Sequence, residues 1–184
     1  HLPREPMGSA FSAGLRYVAM SPNLMRVILR GFWFGLSAIA LLALLPVIVR
    51  EILQGSAFVY GVMLGCFGMG AVMGALLNAR LRALFANEMI ARGGFTGFAF
   101  SCAGLAFSTQ PILSGVALML AGACWVLSLS MFNVTIQLST PRWVVGRVIA
   151  LYQTGTFGGM AAGSLIWGVI ADRGGPETAL LCAS

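Results

Sequence analysis

Residues 31–49, GFWFGLSAIALLALLPVIV, contain a single polar side chain, Ser37. As one helix they would be about 28 Å long, close to the roughly 30 Å of a bilayer's hydrocarbon core. Further apolar runs follow at residues 57–79, 91–108, 113–136 and 148–171, and a sixth begins near residue 178. A soluble chain of 184 residues cannot hide five such helices, because its surface needs charge. This chain is 59% hydrophobic and 9% charged, whereas soluble domains carry about 25% charged residues. The pattern predicts an all-α membrane protein with five complete transmembrane helices and the start of another. The loops are short, so consecutive helices should run antiparallel.

Orientation follows from the arginines, since cytoplasmic loops hold the basic excess. With the N-terminal segment inside, nine of them (Arg4, Arg16, Arg26, Arg30, Arg80, Arg82, Arg92, Arg142, Arg147) fall on one side, and only Arg50 and Arg173 on the other. This predicts a multi-pass protein of the cell (inner) membrane with a cytoplasmic N-terminal segment. Residues 1–25 form that segment and residues 26–184 the helical bundle. Phe11, Leu15 and Val18 share one helical face before Pro22, which suits an amphipathic helix on the inner membrane surface or a plain linker. The net charge of +6 is spread without a basic, aromatic-interleaved cluster, so nucleic acid is not an expected partner. The expected surroundings are the lipid bilayer.

Several local patterns resemble soluble chemistry and lose that meaning inside a span. Gly68-Met69-Gly70 with Gly74 imitates part of a dinucleotide fingerprint, but no strand precedes it. Asp172-Arg173-Gly174-Gly175 could be a phosphate turn. At the outer end of the fifth span it reads instead as the return of charge where water begins. Cys66, Cys102, Cys124 and Cys182 lie in apolar runs without metal-ligand spacing, and the only histidine is His1. No metal or cofactor is expected. An intramembrane enzyme would need a nucleophile–base pair or metal set within the spans, and none is visible. The chain opens without Met and closes inside an apolar run, so it reads as a piece of a longer protein.

Glycines concentrate in two spans. The second carries Gly61, Gly65, Gly68, Gly70 and Gly74; the fifth carries Gly155, Gly159 and Gly163 at i, i+4 spacing. Small residues let helix backbones approach closely in lipid, so both helices are expected to press against others, the fifth through its glycine stripe. Gly65-Cys66-Phe67-Gly68 pairs with Gly155-Thr156-Phe157-Gly158, and Ala71 with Ala161, at an offset of 90 residues. Internal repeats of that size mark secondary transporters.

The chain resembles the C-terminal half of a major facilitator superfamily transporter over nearly its whole length. Gly168-x-x-x-Asp172-Arg173-x-Gly175 matches the superfamily's G-x-x-x-D-R-x-G loop motif. The stretch NVTIQLSTPRWVVGRVIALYQTGTFGGMAAGSLIWGVIADR, with GLRYV and LLPVIVRE earlier, is similar to the exporter branch that includes enterobactin exporters and transmembrane secretion effectors. The resemblance implies that the five spans are helices seven to eleven of twelve, with a six-helix N-terminal half as partner, whose helices the Gly-rich faces of the second and fifth spans would meet. It also implies a secondary active transporter exporting a small, siderophore- or drug-like molecule by alternating access. The superfamily's well-known copy of the motif is cytoplasmic and continues with basic residues, whereas this copy is outside and continues with Pro176-Glu177. The gate therefore falls to the altered cytoplasmic version, Gly74-x-x-x-Asn78-x-Arg80, and to Gly74, Asn78 and Arg80 within it.

Polar groups inside spans are costly and tend to face a cavity or a partner. In the fourth span Trp125, Asn133 and Gln137 follow i+4 spacing, with Ser128 nearby; the fifth has Tyr152, Gln153, Thr154 and Thr156. In the superfamily fold, helices seven, eight, ten and eleven line the central cavity, which makes Trp125, Asn133, Gln153 and Phe157 the candidate contacts for a small-molecule substrate. Glu51, Glu88 and Asp172 all lie near span ends, so a proton-coupling carboxylate belongs elsewhere in the intact protein. A channel or a non-transporting scaffold is the alternative, though neither accounts for the repeat or the motifs. The topology has a direct check. Single cysteines at Ser139 and Thr109, with the four native cysteines replaced, should react from opposite sides, Ser139 from the cytoplasm. Labelling of Thr109 from the cytoplasm alone would invert the orientation.

Overall fold

The computed structural model describes residues 14–108 and 110–184. All regular structure among them is helical. Five helices long and apolar enough to cross a membrane follow one another: α1 (Pro22–Glu51), α2 (Ala57–Leu84), α3 (Asn87–Phe107), α4 (Pro111–Ser139) and α5 (Val145–Ala183). Each matches one of the apolar runs and most extend past it, while α3 stops at Phe107, one residue short of the end of its run. The extensions hold Arg26, Arg30, Arg80 and Arg82, long side chains that can stretch to the interface while the backbone stays helical. Pro22 and Pro111 stand in the first turns of α1 and α4, where a fixed φ and a missing N–H cost nothing.

Helix α5 is helical throughout except at Gly175, where φ is 84° and ψ is 158°. A side chain with a Cβ resists that conformation, and Pro176 requires extended backbone before it. The Gly-Pro pair turns the chain back. Trp167 and Ala183 pack in one cluster with Ala40, although a straight helix would hold them about 24 Å apart. Residues 176–183 thus begin a sixth, returning helix. Asp172 and Arg173 lie exposed just before the reversal.

Two helix pairs close at backbone distance. In the first, Gly159 and Gly163 of α5 lie against the carbonyls of Phe32 and Leu36 in α1, and Gly155 against Ile28. From the other side, a Cβ added at Gly35 would sit 2.5 Å from the Thr156 carbonyl oxygen. Trp167 Nε1 donates to the Leu36 carbonyl at 2.6 Å. The stripe of the fifth span therefore faces α1 of this same chain, which corrects the expectation that it meets helices of another half. In the second pair, Gly70 and Gly74 of α2 meet the backbone at Met119 and Ala123 of α4, and Gly122 meets the Phe67 carbonyl. Gly61, Gly65 and Gly68 lie on a different face of α2, with open space beside them.

Between the pairs sits an aromatic hub with a ring from every helix. Phe34 of α1, only 2% exposed, meets Phe95 and Phe98 of α3 and Trp125 of α4 edge-on, at centroid distances of 5.0, 5.7 and 6.0 Å. Phe67 of α2 contacts Trp125, and Tyr152 of α5 contacts Phe132. Ahead of α1, residues 14–19 are helical; Val18 is buried, Leu15 is exposed, and Tyr17 packs edge-on against Trp143. Phe11, the third member of the expected amphipathic face, lies outside the described residues.

The α1–α5 contact can be tested directly. Gly159→Leu forces a side chain into the Phe32 carbonyl and should cost at least the roughly 1–3 kcal/mol typical of overpacking. Gly158→Leu, which meets nothing within 4 Å, should leave stability near that of the parent. Thermal unfolding of both variants in detergent reads the difference, and equal melting would place the stripe against lipid.

Candidate functional site

Asn133, Gln153 and Phe157 come together. With Leu129, Tyr152, Thr156 and Met160 they line a cavity of about 130 Å³ between α4 and α5. α5 supplies most of the wall, because Tyr152, Gln153, Thr156, Phe157 and Met160 fall on adjoining rows of a 3.6-residue helix. Tyr152 and Thr156 are buried towards α1, against Gly31 and Gly35. Gln153 is exposed, and the Phe157 ring is 64% exposed. The close α1–α5 contact fixes this register: rotating α5 would drive Thr156 into the α1 backbone.

The polar groups of the wall are partly spent on their own helices. Asn133 Nδ2 donates to the Leu129 carbonyl at 2.9 Å and Thr156 Oγ1 to the Tyr152 carbonyl at 3.0 Å. These bonds spare each group from standing unsatisfied in an apolar medium. They leave the amide oxygen and second N–H of Asn133, the side-chain amide of Gln153, and the buried Tyr152 hydroxyl, which has no hydrogen-bond partner among the described residues, as the wall's groups for a ligand. The cavity can therefore offer neutral hydrogen bonds beside an aromatic face, with no charge of its own.

Trp125 lies apart from this cavity, in the aromatic hub with Phe34, Phe67 and Phe98. An i+4 row is not straight. Eight residues from Trp125 to Asn133 turn the helix by about 80° and advance it about 12 Å, enough to move a side chain from one interface to another.

The three gate candidates also separate. Gly74 packs on Ala123, where a Cβ would lie 2.6 Å from the carbonyl oxygen. One turn later Asn78 Nδ2 donates to Ser130 Oγ of α4 at 2.6 Å. Arg80 is exposed on another face of α2. Sequence reasoning did not find Ser130, although it noted Ser128 two residues earlier. At the same end of the bundle, Glu88 of α3 accepts from Arg30 of α1 at 3.2 Å and from Arg92 at 3.3 Å, tying the two helices together at the surface. Cys102 and Cys124 are buried, Cys66 is half-buried, and Cys182 is exposed.

A bundle of membrane-length helices, closed in pairs by glycine contacts, defines a multi-pass helical membrane protein. A family model described as transmembrane secretion effector matches residues 1–184, and the chain belongs to that family, a relative of the major facilitator superfamily. The match reaches the family and not the enterobactin-exporter branch. No curated protein matches the chain, and no solved structure does. The family is one of transporters.

The Asn78–Ser130 bond gives a measurable expectation. Interhelical hydrogen bonds in membranes average about 0.6 kcal/mol and reach about 1.7. A double-mutant cycle of Asn78→Ala and Ser130→Ala, read by unfolding in detergent, should give a coupling in that range. Strict additivity would mean the pair does not join α2 to α4.

Proposed function

We propose that the chain is the C-terminal half of a secondary active exporter, in which the cavity between α4 and α5 contributes substrate contacts. The observation that carries this reading is the convergence of Asn133, Gln153 and Phe157 on one cavity, in a chain of a transporter family. The wall chemistry favours a small organic molecule with neutral polar groups and an apolar or aromatic part. In this reading α1 to α5 act as helices seven to eleven, and the open face of α2 at Gly61, Gly65 and Gly68 meets an N-terminal six-helix half. The arginine distribution supports an inner-membrane protein with its N-terminal segment in the cytoplasm. Alternating access would work Gly74, Asn78 and Arg80 at the cytoplasmic end of α2, with Asn78 released from or returned to Ser130 as that end opens and closes.

Two measurements test the proposal. In the intact transporter, reconstituted in liposomes with a gradient, flux should saturate with substrate. Gln153→Ala and Asn133→Ala should then raise the half-saturating concentration by about tenfold, the loss of roughly one hydrogen bond of 1–1.5 kcal/mol, with expression unchanged. Non-saturating flux would identify a channel. In the second, residues 1–184 alone should insert without transporting, and co-expression of the six-helix half should restore activity. Saturable transport by residues 1–184 alone would overturn the half-transporter reading.

A further inference from the structure

α2 and α3 leave a common turn at residues 85–86 yet touch each other little, and α4 forms the floor between them. The space is a cleft of about 320 Å³ lined by Leu81 of α2, Phe85 of the turn, Met89, Ile90 and Gly93 of α3, and Leu127 of α4. That volume lies within the roughly 300–1,000 Å³ of small-ligand sites. Phe85 and Met89 are 46% and 60% exposed, so the cleft opens sideways, towards lipid when the helices span a bilayer. Its mouth lies at the end of the bundle that carries Arg80, Arg82 and Arg92.

Charge at this end does not balance. Glu88 is the only acid on α2, α3 or the turn between them, and it is held by Arg30 and Arg92. Arg80 and Arg82 have no acid on these elements to pair with. Arg82 shares the helical turn that supplies Leu81, and its Nε is buried with no hydrogen-bond partner among the described residues. A buried guanidinium nitrogen without an acceptor is costly, and phosphate is a geometric match for the guanidinium fork.

We propose that this cleft binds an anionic phospholipid, with one acyl chain between α2 and α3 and the phosphate on Arg82. The apolar lining selects a lipid over a soluble anion. Arg82 selects an anionic lipid over a zwitterionic one, whose ammonium would add positive charge next to an unpaired cation. Basic pockets between membrane helices near the cytoplasmic surface are known to take such headgroups. The inference rests on the helices lying in a bilayer and not on any transport activity. The two glycines of the α3 wall differ usefully. Gly94 packs on Ser128, whereas a side chain at Gly93 meets nothing within 4 Å. A Gly93→Leu side chain would enter the cleft without striking backbone.

The full chain, purified in detergent, should be titrated with phosphatidylglycerol and phosphatidylcholine and read by native mass spectrometry. Phosphatidylglycerol should bind about fivefold more tightly or better, as one arginine near an anionic headgroup would give. R82Q should lose that preference and bind both lipids alike. G93L should lower retention of both lipids, with folding followed by circular dichroism. Equal binding of the two lipids by the parent, an unchanged preference in R82Q, or unchanged retention in folded G93L would each overturn the proposal. So would displacement of phosphatidylglycerol by inorganic phosphate alone, which would mark a simple anion site. If G93L is recovered unfolded, the arginine variant decides the question by itself.

Discussion

Backbone-to-backbone contact at glycine is the constraint on which this bundle depends. In water, helices associate because apolar faces leave the solvent; in lipid that drive is absent, and packing and polar contacts must hold them together. The chain meets the requirement twice. α1 and α5 close through Gly35, Gly159 and Gly163, and α2 and α4 through Gly70, Gly74 and Gly122. At these crossings a carbonyl of one helix faces the bare Cα of the other, a distance no side chain permits. The two polar interhelical bonds nearest these contacts, Trp167 to Leu36 and Asn78 to Ser130, each belong to one of the pairs. Every other feature is arranged around two tight pairs, with α3 leaning on α4.

The pairs are joined by a different kind of surface. Phe34, Phe67, Phe95, Phe98, Trp125, Phe132 and Tyr152 meet mostly edge-on at centroid distances of about 5–6 Å. Edge-on rings tolerate small rotations better than a carbonyl seated on a glycine does, because the first contact is between side chains and the second between backbones. Any internal motion of this bundle should therefore be expressed between the pairs and not within them. The sequence signal for the hub is weak, since aromatic residues in apolar runs show no period that sets them apart.

The five spans and their order were legible in the sequence because a bilayer imposes one length on any helix that crosses it. Helix ends were less so, since Arg30 and Arg82 continue their helices past the apolar runs. Glycine spacing revealed that the fifth span has a smooth face but could not name what lies against it. Periodicity describes one helix, and the contact with Phe32 and Leu36 is a property of two. The same limit separated Trp125 from Asn133: equal spacing of four hides a steady rotation, which over eight residues changes the neighbour. Asn78 could be singled out by its motif, whereas Ser130 had no local signal at all. The turn at Gly175 was half legible. The charge at Asp172-Arg173 announced the end of the span, and only the packing of Ala183 in one cluster with Ala40 and Trp167 shows that the chain reverses there.

The cavity's chemistry follows from the medium around it. A polar side chain in a membrane helix must find a partner before any ligand arrives, and the nearest acceptor is the carbonyl one turn back. Asn133 and Thr156 both use it. For Thr156 that bond consumes its one donor and leaves the oxygen to accept; Asn133, with two N–H groups, keeps one donor as well as its oxygen. Gln153, exposed and without such a back-bond among the described residues, keeps both its amide donors and its acceptor. A ligand suited to the wall can be read by Asn133 and Gln153 in either sense. Selection would then lie in the pattern of donors and in the fit beside Phe157, and not in net charge.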